Sequence, residues 1–204
     1  MIYQNIFVDN EGNKYTRVEC LESTGTQYID TGVSGTFNNQ IEFIGNFSLN
    51  SKSSKEQAIL GSKNSSNQGL TIFFPEYSTN LRTWCGSGTA YAINDVALKE
   101  KNSLYAIFYK NKGRKIILNN IEYVNDNISN NFTNNSDNFG LFSDKATTLS
   151  SPSNIAIHNW KIIKDSVLVR DYVPMLCENN RPCLYDKVSK TYFYNQGTGE
   201  FLWG

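Results

Sequence analysis

Three observations predict an all-β chain folded as a two-sheet antiparallel sandwich. Short runs in which apolar and polar residues alternate recur more than ten times along 204 residues. Turn-forming residues separate nearly all of them: the chain has about 27 Asn and about 20 Ser but only 4 Pro, and Asn and Ser favour turns over helix interiors. No segment of 12 residues carries a convincing helical period. Hydrophobic residues at 39% and aromatics at 13% supply enough apolar area for a core, and the length fits one domain.

Residues 1–14 read as a separate arm, because Gly12-Asn13 offers a hinge after a short apolar strand. Its Ile2, Tyr3, Ile6 and Phe7 are suited to join the sheet edge of a partner. Residues 15–204 then form the sandwich, with strands expected at 15–22 and 27–33. Residues 40–50 alternate Ile41, Phe43, Phe47 and Leu49 against Glu42, Asn46 and Ser48, and Gly45, which falls in the apolar phase, suggests a bulge. Further strands are expected at 58–61, 70–74, 81–85, 104–109, 115–118, 121–124, 138–142, 155–163 and 167–173. Gly113 after Lys-Asn-Lys is a hairpin signal, since glycine supplies the positive φ of a tight reversal. Residues 95–101, DVALKEK, are the one plausible helical turn, while 50–57 and 125–138 are too polar to be anything but exposed loops. From Asp171 onward the pattern changes, and the tail is too apolar to be free, so it folds back on the sandwich.

Charge and cysteines exclude several function classes. With 19 Lys+Arg against 19 Asp+Glu, the chain lacks the attraction that nucleic acid or an anionic membrane surface requires. A mean hydropathy of −0.45, with no apolar run of spanning length, argues against membrane insertion. The start lacks the basic-then-apolar order of a secretory signal, so the chain is expected to be cytosolic when made, or a fragment or mature form. Cys20, Cys85, Cys177 and Cys183 show no zinc-ligand spacing and read as buried thiols. Only Cys177 and Cys183, flanking ENNRP, are close enough for a hairpin disulfide, and then only in an oxidising environment.

At 21–33, LESTGTQYIDTGV resembles the opening strands of laminin-G-like modules in the concanavalin A-like lectin/glucanase superfamily, of the variety found in phage structural and gut-bacterial surface proteins. The hairpin at 102–120, the segment IHNWKIIKDSVLVRD at 157–171 and the tail LYDKVSKTYFYNQGTGEF at 184–201 agree in order, so the resemblance covers about residues 21–201. It implies a jelly-roll sandwich with its termini close together. It implies no single function, because the superfamily hosts lectins, glycosidases and adhesive modules alike.

Catalysis is not expected. The paired carboxylates of the superfamily's glucanases, Glu-x-Asp-x-x-Glu, are absent, and Glu19 and Glu22, three apart, point to opposite faces of a strand. The single histidine, His158, has Asn159 beside it and no marked Ser or Cys partner, so it reads as a half-exposed strand residue. Binding is a better expectation. Sugar recognition uses an aromatic platform, and Tyr77, Trp84 and Tyr91 lie next to turns, whereas Trp160 reads as core and Trp203 as clamped or at an interface. No cofactor is required, although Asp126 and Asp137 have the chemistry for calcium on the 125–138 loop. The leading expectation is a non-enzymatic virion-surface protein of a phage, a capsid decoration or fibre module, whose partners are other virion proteins or itself as a homo-oligomer such as a trimer, with host glycan as a further ligand. The alternative is a carbohydrate-binding or adhesin module at a bacterial cell surface or outside the cell.

Overall fold

The computed structural model describes residues 6–8, 14–64, 66, 68–86, 89–93, 96–110, 112–126, 135–148 and 150–204. In chain order the first nine strands are β1 (Ile6–Val8), β2 (Lys14–Arg17), β3 (Leu21–Glu22), β4 (Ile29–Ser34), β5 (Gln40–Leu49), β6 (Gln57–Lys63), β7 (Gly69–Phe74), β8 (Leu81–Gly86) and β9 (Thr89–Ile93). They are followed by β10 (Asn102–Tyr109), β11 (Gly113–Leu118), β12 (Ile121–Asp126), β13 (Asn138–Leu141), β14 (Ile155–Lys164), β15 (Val167–Leu176), β16 (Pro182–Asp186), β17 (Thr191–Tyr194) and β18 (Leu202–Trp203). A large sheet runs β1-β2-β15-β14-β5-β10-β11-β12, with β16–β17 and β3–β18 branching from it; a six-stranded sheet runs β4-β13-β6-β7-β8-β9. All pairings in both are antiparallel, and the two sheets pack as a jelly-roll-like sandwich.

The alternation in the sequence becomes the division between core and surface. Ile41, Phe43 and Phe47 of β5, Leu104, Ala106 and Phe108 of β10, and Leu70, Ile72 and Phe74 of β7 all enter one core, where Phe43 meets Phe108 and Phe139 edge-on. Edge-on contacts suit the opposite charges of ring rim and ring face. Gly45 does not mark a bulge. It lies opposite Trp160 of β14, and a Cβ there would run into the indole ring, so glycine makes room for the largest fully buried side chain. The register shift falls instead between Ile157 and Asn159, making His158 the extra residue.

Three expectations are corrected. The strand at 15–22 is two strands, because 18–20 crosses from the β15 edge to the β14 edge of the large sheet. Residues 96–101 form no helical turn: Asn102 Oδ1 accepts from the Lys99 N–H (2.8 Å) and its Nδ2 donates to the Lys99 carbonyl (2.9 Å), capturing the groups a helix would use. Cys177 and Cys183 are joined by a disulfide across the turn at Glu178–Asn180, which Cys20 and Cys85 do not share. The tail contributes β16, β17 and β18 to the large sheet. Of the N-terminal arm, Ile6 and Phe7 lie on β1, which pairs β2 at the sheet edge, whereas Ile2 and Tyr3 lie outside the described residues.

Two predictions follow from this packing. Gly45→Ala should cost about 1–3 kcal/mol in urea unfolding, the usual penalty of overfilling a close-packed site; an unchanged midpoint would contradict the Trp160 contact. Asp186 is buried, which alone would raise its pKa. Hydrogen bonds from the Asp171 N–H (2.7 Å), the Ser189 hydroxyl (2.6 Å) and N–H (3.0 Å) and the Val188 N–H (3.1 Å) outweigh that and hold it below the ordinary carboxylate value. Its stabilisation is therefore complete above the unfolded pKa of about 3.9 and is lost as pH falls through the lower folded value. The stability gap between wild type and Asp186→Asn should be widest above about pH 5 and should narrow below about pH 4, as read by urea melts across that range.

Candidate functional site

On the small sheet, Leu70, Ile72 and Phe74 of β7 and Leu81 and Cys85 of β8 face the core, so Thr71, Phe73, Arg82 and Trp84 lie on the outer face. Register then aligns Gly61, Thr71 and Trp84 in one row across β6, β7 and β8. Segment 142–153 returns over this row. Lys63 N–H donates to the Asp144 carbonyl (3.0 Å) and Ala58 N–H to the Ser151 carbonyl (3.0 Å), and Asp144 packs so tightly on Gly61 that any side chain there would collide with its backbone.

The result is a compact polar cluster. The Lys63 ammonium sits 3.6 Å from Asp144 Oδ2 and 4.9 Å from the centroid of the Trp84 ring, a cation–π contact. The Ser151 hydroxyl donates to the same carboxylate oxygen (3.1 Å), and the Trp84 indole N–H donates to the Gly86 carbonyl (3.1 Å). Asp144 Oδ1, Thr71 Oγ1 and Arg82 Nε are buried without a hydrogen-bond partner. Beside this cluster opens a cleft of about 420 Å³, lined by Lys63, Asn64, Asn135, Asp137, Lys145 and Thr148 among others. Ammonium, carboxamide, hydroxyl and carboxylate groups around an indole are the chemistry that recognises a polyhydroxylated ligand.

The structure separates most of the sequence-predicted candidates. Trp84 is half-buried in the cluster, and Asp137, expected as a calcium ligand, lines the same cleft; Lys63 joins them. Tyr77 is 70% exposed in the turn after β7, at the end of the sheet away from Lys63, with its N–H bonded to the Ser53 carbonyl (2.7 Å). Tyr91 lies on β9 opposite Thr83, one rung from the Trp84–Ala90 pair. Asp126 ends β12 in the large sheet, opposite Arg114. Residues 127–134 of the expected calcium loop lie outside the described residues. Among those described, no three His, Cys, Asp or Glu residues are grouped to hold a metal ion. Trp160 is core, as expected, and Trp203 is 48% exposed on β18.

Lys63, Asp144 and Thr71 escaped sequence reading because only cross-strand register and a returning segment bring them to Trp84. The reading of His158 as lacking a serine partner is corrected in the same way: Ser48, 110 residues away, has its Oγ 2.9 Å from His158 Nε2. The pairing of Ala156 with Ser48 sets that approach.

No protein-family model and no curated protein matches the sequence. Solved structures do match. A Bacteroides ovatus protein described as carbohydrate-binding superposes with a TM-score of 0.64 at 11% identity, covering 92% of this chain and 60% of that one. The Trypanosoma rangeli sialidase solved with sialic acid gives 0.52 at 8% identity, covering 74% of this chain and 27% of the sialidase. This chain thus spans less than two thirds of either protein. At such identities the likeness shows the fold, a jelly-roll-like β-sandwich.

Proposed function

We propose that this domain binds carbohydrate at the Lys63–Trp84–Asp144 face and the cleft beside it, as a recognition module of a bacterial surface or extracellular protein. The observation that carries the reading is a polar cleft bordered by Lys63, whose ammonium lies over the half-buried Trp84 ring. The Bacteroides ovatus likeness and the Cys177–Cys183 disulfide, at home in oxidising surroundings, support the same reading. The phage role expected from the sequence draws no support from the solved structures that match.

A glycan array probed with the purified chain tests this. Selective binding is expected, with the same profile in calcium and in chelator. Trp84→Ala should weaken it about tenfold or more, the scale of losing one stacking residue of about 1.5 kcal/mol, and Tyr77→Ala should leave it unchanged. A blank array from folded protein, or full binding by Trp84→Ala, would contradict the reading.

A further inference from the structure

A second cluster lies on the outer face of the large sheet and owes nothing to the carbohydrate reading. There β14 exchanges one neighbour for another: Ala156 and Ile157 pair β3, and from Trp160 onward the strand pairs β15. His158 is the extra residue at this exchange, and a bulge re-aims the side chain it carries. Its Nε2 lies 2.9 Å from Ser48 Oγ on β5. The crossing segment 18–20 passes over the other side of the ring and sets Glu19 Oε1 3.7 Å from Nδ1. Lys101 Nζ lies 3.5 Å from the same Glu19 oxygen.

These positions assign roles. Nδ1 makes no hydrogen bond and has the Glu19 carboxylate 3.7 Å away, and with the ring proton on that side Nε2 keeps its lone pair toward the Ser48 hydroxyl. Burial first, then the Lys101 charge, lower the His158 pKa against the opposing pull of Glu19, so the ring is neutral near pH 7 and able to accept a proton. Asn46, two residues before Ser48, accepts a hydrogen bond from Asn159 Nδ2 (2.9 Å), which puts two carboxamides next to the pair. Only Ser48, Glu19 and Lys101 bring polar or charged groups to the ring from neighbouring elements among the described residues.

We propose that Ser48, His158 and Glu19 act as nucleophile, general base and positioning acid in hydrolysing short-chain carboxylic esters presented on this open sheet face. Ser48 Oγ attacks the ester carbonyl carbon while His158 Nε2 takes the hydroxyl proton. The C–O bond to the alcohol breaks as His158 returns that proton to the departing alkoxide, leaving an acyl-serine. Water then attacks the acyl carbon, gives its proton to His158, and the carboxylic acid leaves as Ser48 regains a proton. Ser48 and His158 are half-buried on the outer sheet face, which a small acyl group on an accessible carrier can reach.

The test uses the intact chain with a fluorophosphonate probe and with p-nitrophenyl acetate. One adduct per chain, mapped to Ser48 and absent from Ser48→Ala, is expected, together with a fall in ester hydrolysis of about 100-fold or more in both Ser48→Ala and His158→Ala. Ser48 lies on the sheet face, so its alanine variant should melt like wild type. Glu19→Gln should retain labelling and move the acid limb of the pH–rate profile to lower pH, because the imidazolium loses a stabilising charge. No adduct on wild type, an adduct elsewhere, or equal hydrolysis by folded Ser48→Ala would overturn the proposal, and an unmoved acid limb would remove Glu19 from it.

Discussion

Where the chain passes from the large sheet to the small one, residues 23–28 are held by the tail at 195–201. Gln27 is buried at the centre. Its Oε1 accepts from the Thr24 N–H (2.8 Å) and the Ser23 hydroxyl (3.1 Å), and its Nε2 donates to the Glu200 carbonyl (3.0 Å). Around it the Thr26 hydroxyl donates to the Thr198 carbonyl (2.9 Å), Thr198 N–H to Thr26 O (3.0 Å), Gln196 N–H to Tyr28 O (2.8 Å) and Tyr28 N–H to Asn195 Oδ1 (3.1 Å). Gly197 is required because any side chain would meet the Thr26 carbonyl. A sandwich has no covalent tie between its sheets other than such crossings, so this hydrogen-bonded one constrains how the layers meet.

The consequences reach both clusters. The crossing delivers β4, which pairs β13, and the segment after β13 carries Asp144 over Gly61 to Lys63 and Trp84. On the other side Leu21 and Glu22 pair both β14 and β18, and the 18–20 stretch before them lays Glu19 beside His158. Phe201, at the end of the clasp, packs against Phe142 with ring centroids 4.9 Å apart, tying the tail to the start of the returning segment. Small residues permit these approaches: Gly61 under Asp144 and Gly45 under Trp160 are points where backbone and ring come too close for a Cβ.

Much of the fold was legible in the sequence. Alternation at 40–50 marked β5, and Gly113 marked the β10–β11 turn, because burial on one face and positive φ are local requirements with local residue signatures. STGTQY and NQGTGEF carried the resemblance together, and the structure gives the reason: each supplies the hydrogen-bond partners of the other. Residues 96–101 misled because ALKEK suits a helix, while the competing Asn102 side chain is visible only once β10 is placed. The cysteines misled because pairing depends on the surroundings as much as on spacing. Of the candidate site, only Trp84 and Asp137 could be picked out beforehand, and their kinship through Lys63 could not. Lys63, Asp144, Ser48 and His158 acquire meaning from register, which no short stretch of sequence encodes.

The claim that the clasp acts as one unit is open to a double-mutant cycle. Gln27 and Asn195 do not bond each other, yet they hold adjoining parts of the same crossing, through Glu200 O and Thr24 on one side and Tyr28 N and Gly199 O on the other. Urea unfolding of Gln27→Ala, Asn195→Ala and the double variant measures their coupling directly. A clasp acting as one unit gives a non-additive term of about 1 kcal/mol or more, because either change frees the tail and strands the partners of the other. Additivity within about 0.3–0.5 kcal/mol would show two independent sets of hydrogen bonds and contradict it.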